Sequence, residues 1–141
     1  MFVDTNVLVY YSRIIEAPLH DAARARLRRA YIGNEPLRIS RQIIREYISV
    51  VTRPQTWLNA LTSEEAIEEA SWLISQFEIL EDGPTVTDWL IALLGEVSVG
   101  GRQIHDANIV ATMLAHGERR LLTFNISDFR RYGGHIELVE R

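Results

Sequence analysis

The chain has 141 residues, 47% hydrophobic and 24% charged, with no cysteine and a formal net charge of −4. This is the size and balance of one globular domain spanning residues 1–141, able to bury roughly two-thirds of its unfolded surface. The missing cysteine excludes disulfides, thiolate metal sites and a cysteine nucleophile, and the acidic balance is not that of a duplex-wrapping protein. The 15 basic residues are all Arg. Arg forks suit phosphate and carboxylate, although genome composition bias explains the same usage. MFVDTNVLVYY lacks a basic leader and makes a poor signal peptide, and no apolar run approaches the roughly 20 residues of a membrane helix. A cytoplasmic protein is expected.

In chain order, Met1 to Val3 is a short apolar strand that runs into DTN and a short helix. Residues 19–31 follow as a helix closed by Gly33, and Leu37 to Ile39 as a second strand. Ser40 caps a helix through RQIIREYISVVT that stops at Pro54. Thr62 and Glu65 form a capping box ahead of AIEEASWLIS. Phe77 to Leu80 is a third strand, with Asp82, Gly83 and Pro84 as turn residues behind it. Thr87 is expected to cap DWLIALLGEV. Gly100 and Gly101 break the chain before a helix from Ile104 to His116, ended by Gly117. Leu121 to Thr123 and Ile136 to Val139 complete five strands. Such alternation predicts βαβ units, an α/β chain with a mainly parallel sheet of about five short strands flanked by helices. Ligands of such sheets sit at the carboxyl ends of the strands, near the topological switch point.

The acids that follow strands are therefore the candidates. Asp4 directly follows the first strand; it reads as an N-cap or, with Thr5 and Asn6 beside it, as a site acid. Asp106 precedes Ile109, Val110 and Met113 at helical spacing, so its carboxylate lies in line with an apolar stripe. Burying an unpaired carboxylate is costly; the helix N-terminus offsets a little of that cost and a metal ion far more. Glu46 borders the stripe of Ile43, Ile44, Tyr47, Ile48 and Val51, where a solvated helix acid is the plain reading. Asp128 lies past the fourth strand with Thr123 and Asn125 nearby, where a local Asx turn would also account for it. Together Asp4, Glu46, Asp106 and Asp128 make a set of hard oxygen donors suited to Mg²⁺ or Mn²⁺. Such ions activate water for in-line displacement at phosphorus. His20, His105, His116 and His135 have no zinc spacing, and His105 reads as structural or substrate-facing.

FVDTNVLVYY, REYISVVTRP, IHDANIVATMLAHG and LLTFNISDF, in that order over nearly the whole chain, resemble the PIN-domain nucleases, and more narrowly the VapC-type toxins of toxin–antitoxin pairs. The resemblance implies a PIN-like, Rossmann-like sandwich fold, divalent-metal-dependent cleavage of RNA, a homodimer and inhibition by a cognate antitoxin. By motif position, Asp4 and Asp106 would be the main metal ligands and Glu46 the acid of the second motif. Asn125 and Asp128 both fall in the last motif, and either fills its fourth position. The alternative is a PIN-like module that binds RNA or protein without cutting. A phospho-receiver or a haloacid-dehalogenase-type phosphatase would each want a Lys, which the chain lacks. The helix from Thr62 to Ser75 carries Ala66, Ile67, Ala70, Trp72, Leu73 and Ile74, more than one core stripe needs. With Trp57 and Leu58 it is expected to form an antitoxin groove alongside the helix holding Glu46.

Overall fold

The computed structural model describes residues 1–14, 18–54 and 59–140. Five short strands form one sheet: β1 (Phe2–Val3), β2 (Arg38–Ser40), β3 (Glu78–Leu80), β4 (Arg120–Leu122) and β5 (Glu137–Val139). Every pairing is parallel, and the order is β3-β2-β1-β4-β5. Phe2 pairs with Leu121 and Val3 with Leu122. These four side chains are wholly buried, as expected for central strands covered on both faces. From β1 the chain winds outward through β2 and β3, then returns to add β4 on the other side of β1. The crevice beyond the carboxyl ends of β1 and β4 is thus the switch point, where an open α/β sheet places its ligand.

Seven helices flank the sheet among the described residues: α1 (Thr5–Ser12), α2 (Pro18–Ile32), α3 (Arg41–Val51), α4 (Ser63–Gln76), α5 (Pro84–Glu96), α6 (Gln103–Ala115) and α7 (Ile126–Phe129). Their buried faces follow helical spacing. In α2 the core face is Ala23, Leu27 and Ala30, while Arg24, Arg28 and Arg29 lie outside. In α4 it is Ala66, Ala70 and Leu73. Helix α6 is buried along most of its length and packs chiefly on α5. Its end is followed by Gly117 at φ +70, the left-handed conformation that glycine adopts without steric penalty. The Thr62–Glu65 capping box and the Ser40 cap are both present.

Two expectations need correction. Helix α5 begins at Pro84 with Gly83 at its N-cap, a turn before Thr87. Proline has no amide to leave unsatisfied in a first turn and its fixed φ is already helical, so the supposed turn residue starts the helix. After β4, the final motif folds into α7 and a 3₁₀ turn over Arg130–Tyr132, neither of which was expected. Segments this short carry too little periodicity to announce themselves. Four strands also start one residue later than read from the sequence, and β4 starts one residue earlier.

Candidate active site

Asp4 is held at the switch point by β4 and by the residues that follow β1 and β4. Its amide donates to the Leu122 carbonyl at 3.0 Å, tying the end of β1 to β4. One carboxylate oxygen, Oδ1, accepts from the Thr5 amide at 2.7 Å and caps α1. The other, Oδ2, accepts from Asn6 Nδ2 at 2.8 Å and from the Thr123 hydroxyl at 2.7 Å. Asn6 also receives the Phe124 amide at 3.1 Å, so its side chain spans the crevice from α1 to the segment after β4. The cap and the site acid are therefore one residue. Asp4 is only 5% exposed. Burial pushes its carboxyl up to about 6; hydrogen bonds from Thr123 and Thr5 oppose the rise, and Glu46 and Asp106 add to it.

Glu46 reaches the same crevice from α3. Its Oε2 accepts from the Thr5 hydroxyl at 2.8 Å and its Oε1 from Gln42 Nε2 at 2.8 Å. Asp106 enters from the first turn of α6, half-buried rather than enclosed. Its carboxyl is also pushed up to about 6, first by burial and then by Asp128 and Glu46, with Arg131 and His105 acting the other way. Asp4, Glu46, Asp106 and Asn125 line one cavity of about 430 Å³, whose other walls include Tyr10, Ile14, Arg53 and Phe129. Asn125 stands at the N-cap of α7, but its side chain makes no capping bond there. Asp128 is exposed and near enough to raise Asp106, yet it does not line the cavity.

A PIN-domain family model matches residues 1–134. This chain belongs to the PIN-domain family. Ribonuclease VapC24 of Mycobacterium tuberculosis is 26% identical over 134 residues, covering 93% of this chain and 90% of the relative. Among solved structures, VapBC2 from Rickettsia felis, bound to a fragment of promoter DNA, superposes with a TM-score of 0.72 at 22% identity, covering 99% of this chain and 98% of that one. VapC20 of Mycobacterium tuberculosis, described as a sarcin–ricin loop cleaving toxin, gives 0.68 at 15% identity, covering 96% of each chain. At these identities the structural likeness is one of fold.

The PIN-domain acids thus meet at one crevice, but not as one three-acid cage. Among the described residues no three His, Cys, Asp or Glu side chains are close enough to share an ion. The donor chemistry still fits a hard divalent ion. All the lining donors are oxygen or nitrogen, the acids are oxygen donors, and their mutual repulsion is what a cation would relieve. Mg²⁺ needs only one or two carboxylates, with waters and substrate phosphates completing its shell.

Sequence reasoning missed the polar residues that hold the acids, above all Gln42 and Asn108. Gln42 is buried and lies four residues before Glu46, on the same helix face. A polar residue in register with a candidate acid was the available signal. The helix expected to form a groove turns Trp72 toward α1 and α2. Trp72 stacks on Tyr11 of α1, ring centroids 5.9 Å apart, and meets Phe77 edge-on. The depression it lines, about 620 Å³, is shared with Arg24, Arg28 and Tyr31 of α2 rather than with α3. Trp57 and Leu58 lie outside the described residues.

Proposed function

We propose that this PIN domain is a divalent-metal-dependent endoribonuclease, the toxin of a toxin–antitoxin pair, acting in the cytoplasm as a homodimer. What carries the reading is the switch-point crevice, where Glu46 and Asp106 add to the raised proton affinity of Asp4, and Glu46 and Asp128 to that of Asp106. Asp4 and Asp106 would hold Mg²⁺ or Mn²⁺, with Glu46 and Asp128 contributing negative charge beside them. A divalent ion so held supplies an activated water and neutralises charge developing at phosphorus.

The chain's own residues prepare the crevice for that chemistry. Thr5, Asn6 and Thr123 fix the Asp4 carboxylate in one orientation before any ligand arrives. Arg53, whose Nε donates to the Ser49 carbonyl at 3.1 Å, brings positive charge to the cavity wall that a phosphodiester would meet. A water activated by a cation held at Asp4 and Asp106 would be the nucleophile, in place of a ribose 2′-hydroxyl. Cleavage should therefore leave a 5′-phosphate and a 3′-hydroxyl. The antitoxin reading is supported by the relatives, which include toxins solved within toxin–antitoxin complexes.

The test is cleavage of single-stranded RNA with Mn²⁺ or Mg²⁺, with EDTA and Asp4→Ala as controls. Metal-dependent products bearing 5′-phosphates, lost in Asp4→Ala, support the reading. A 2′,3′-cyclic phosphate product, or cleavage unaffected by EDTA, overturns the mechanism. Metal and RNA binding without any cleavage would make the chain a non-catalytic PIN-like module.

A further inference from the structure

One buried amide links the two helices that carry Glu46 and Asp106. Gln42, on α3, is 5% exposed. Its Nε2 donates one hydrogen to Glu46 Oε1 at 2.8 Å and the other to the His105 carbonyl of α6 at 2.9 Å. Its Oε1 accepts from Asn108 Nδ2 at 2.8 Å, and Asn108 donates in turn to Asp82 at 3.0 Å. Both acceptors facing the Gln42 nitrogen are oxygens that cannot donate, and the group facing its oxygen is an amide nitrogen. The orientation of the amide is thereby fixed, and both of its hydrogens are used.

The placement matters because of what lies next to each contact. His105 is joined by one peptide bond to Asp106, so a grip on its carbonyl is a grip on the backbone that presents Asp106. Glu46 is seized directly, and Thr5 holds its other oxygen. Helix α6 packs chiefly on α5, not on α3. The Gln42 amide therefore ties together the two helices that carry acids which repel one another.

We propose that Gln42 is a positioning residue that sets the separation and orientation of Glu46 and Asp106, with Asn108 fixing Gln42 from behind. A neutral amide suits this role. A carboxylate at position 42 would add to the repulsion, and a cation would bind Glu46 in place of the metal. The inference rests on the metal-dependent cleavage proposed above, and it concerns how that site is held.

Residues that orient metal-binding groups typically change metal affinity or activity by about 10- to 100-fold when removed. Gln42→Met keeps the length and volume of the side chain and removes all three hydrogen bonds. The measurement is Mn²⁺ binding to the full chain by titration calorimetry, with kcat and KM on a fluorescent single-stranded RNA, wild type alongside. We expect Gln42→Met to bind Mn²⁺ about 10- to 100-fold more weakly and to lose kcat while KM for the RNA stays as in wild type. A residue that merely supported the fold would instead lower the number of binding sites and leave their affinity unchanged. Asn108→Ala withdraws the support behind Gln42, along with the exposed bond to Asp82, and should weaken Mn²⁺ in the same direction by a smaller factor. That result supports the proposal even where Gln42→Met does not fold, and unchanged affinity in Asn108→Ala overturns it there. Wild type that binds Mn²⁺ and cuts RNA, beside a folded Gln42→Met with unchanged affinity and kcat, overturns this inference alone. Wild type that does neither overturns the proposed function itself.

Discussion

Asp4 and Asp106 both carry carboxyl groups raised to about 6 from 3.8. The native chain therefore binds more protons than the unfolded one between about pH 4 and 6, and metal-free stability falls as pH rises through that window. Above it, the charge penalty is fully present. Asp106→Asn should accordingly melt higher than wild type in EDTA at pH 7, with the advantage shrinking toward pH 4. Each kcal/mol relieved corresponds to about 3 °C in a domain of this size. A lower melting temperature for the variant would make Asp106 a structural acid. The same shifts predict that a cation must displace protons below pH 6. Mn²⁺ affinity should rise between pH 5 and 7 and then level off, with proton release detectable by calorimetry in buffers of different ionisation enthalpy. Affinity independent of pH would mean that neither acid is a ligand.

Among the elements, the amino ends of the central strands are secured by Glu118, just after α6. Its buried carboxylate accepts from Arg38 of β2 at 2.7 Å and from the Arg119 and Arg120 amides at 2.9 Å, and it pairs with the Met1 amino group at 3.0 Å. Burial acts to raise this carboxyl, but the hydrogen bonds from Arg120, Arg38 and the amino group outweigh it and hold it at about 2. A depressed folded-state pKa contributes stability above the unfolded value of 4.5, and that stability is lost as pH falls toward 2. Glu118→Gln should thus cost about 2 kcal/mol at pH 7, allowing for screening there, and match wild type only once the pH falls below about 2. Denaturant melts across that range check the sign. These contacts lie at the amino ends of β1, β2 and β4, opposite the crevice, so Glu118→Gln should lower stability far more than cleavage.

For the whole molecule, the crevice and the Trp72 depression are distinct surfaces. Trp72 is 42% exposed and Tyr31 78%, with Arg24 and Arg28 beside them. Aromatic and Arg side chains are favoured at binding hot spots. Trp72→Ala should therefore weaken antitoxin binding about tenfold or more while changing RNA cleavage by less than about threefold. Equal losses in both assays would mean that Trp72 supports the fold through Tyr11 and Phe77. The depression is bounded by α2 and α4, so antitoxin contacts should be sought on α2 rather than on α3.

Much was legible in the residues themselves. Period and punctuation located the strands and helices, because burial on one face imposes its spacing locally. Asp4 was visible as an acid at the end of an apolar strand, and Asp106 as an acid in line with an apolar stripe. The motif order identified the family without any contact being known. Other features depended on residues far apart in sequence. Thr123 meets Asp4 across 119 positions and Thr5 meets Glu46 across 41. The Gln42 amide joins α3 to α6 across 63. No local pattern encodes such pairings, because strand order and helix packing decide them. The raised carboxyls, the partial exposure of Asp106, the choice between Asn125 and Asp128 for the cavity wall, and the helix that Trp72 faces all follow from that assembly. Burial and mutual charge act through space, and only the folded chain sets those distances.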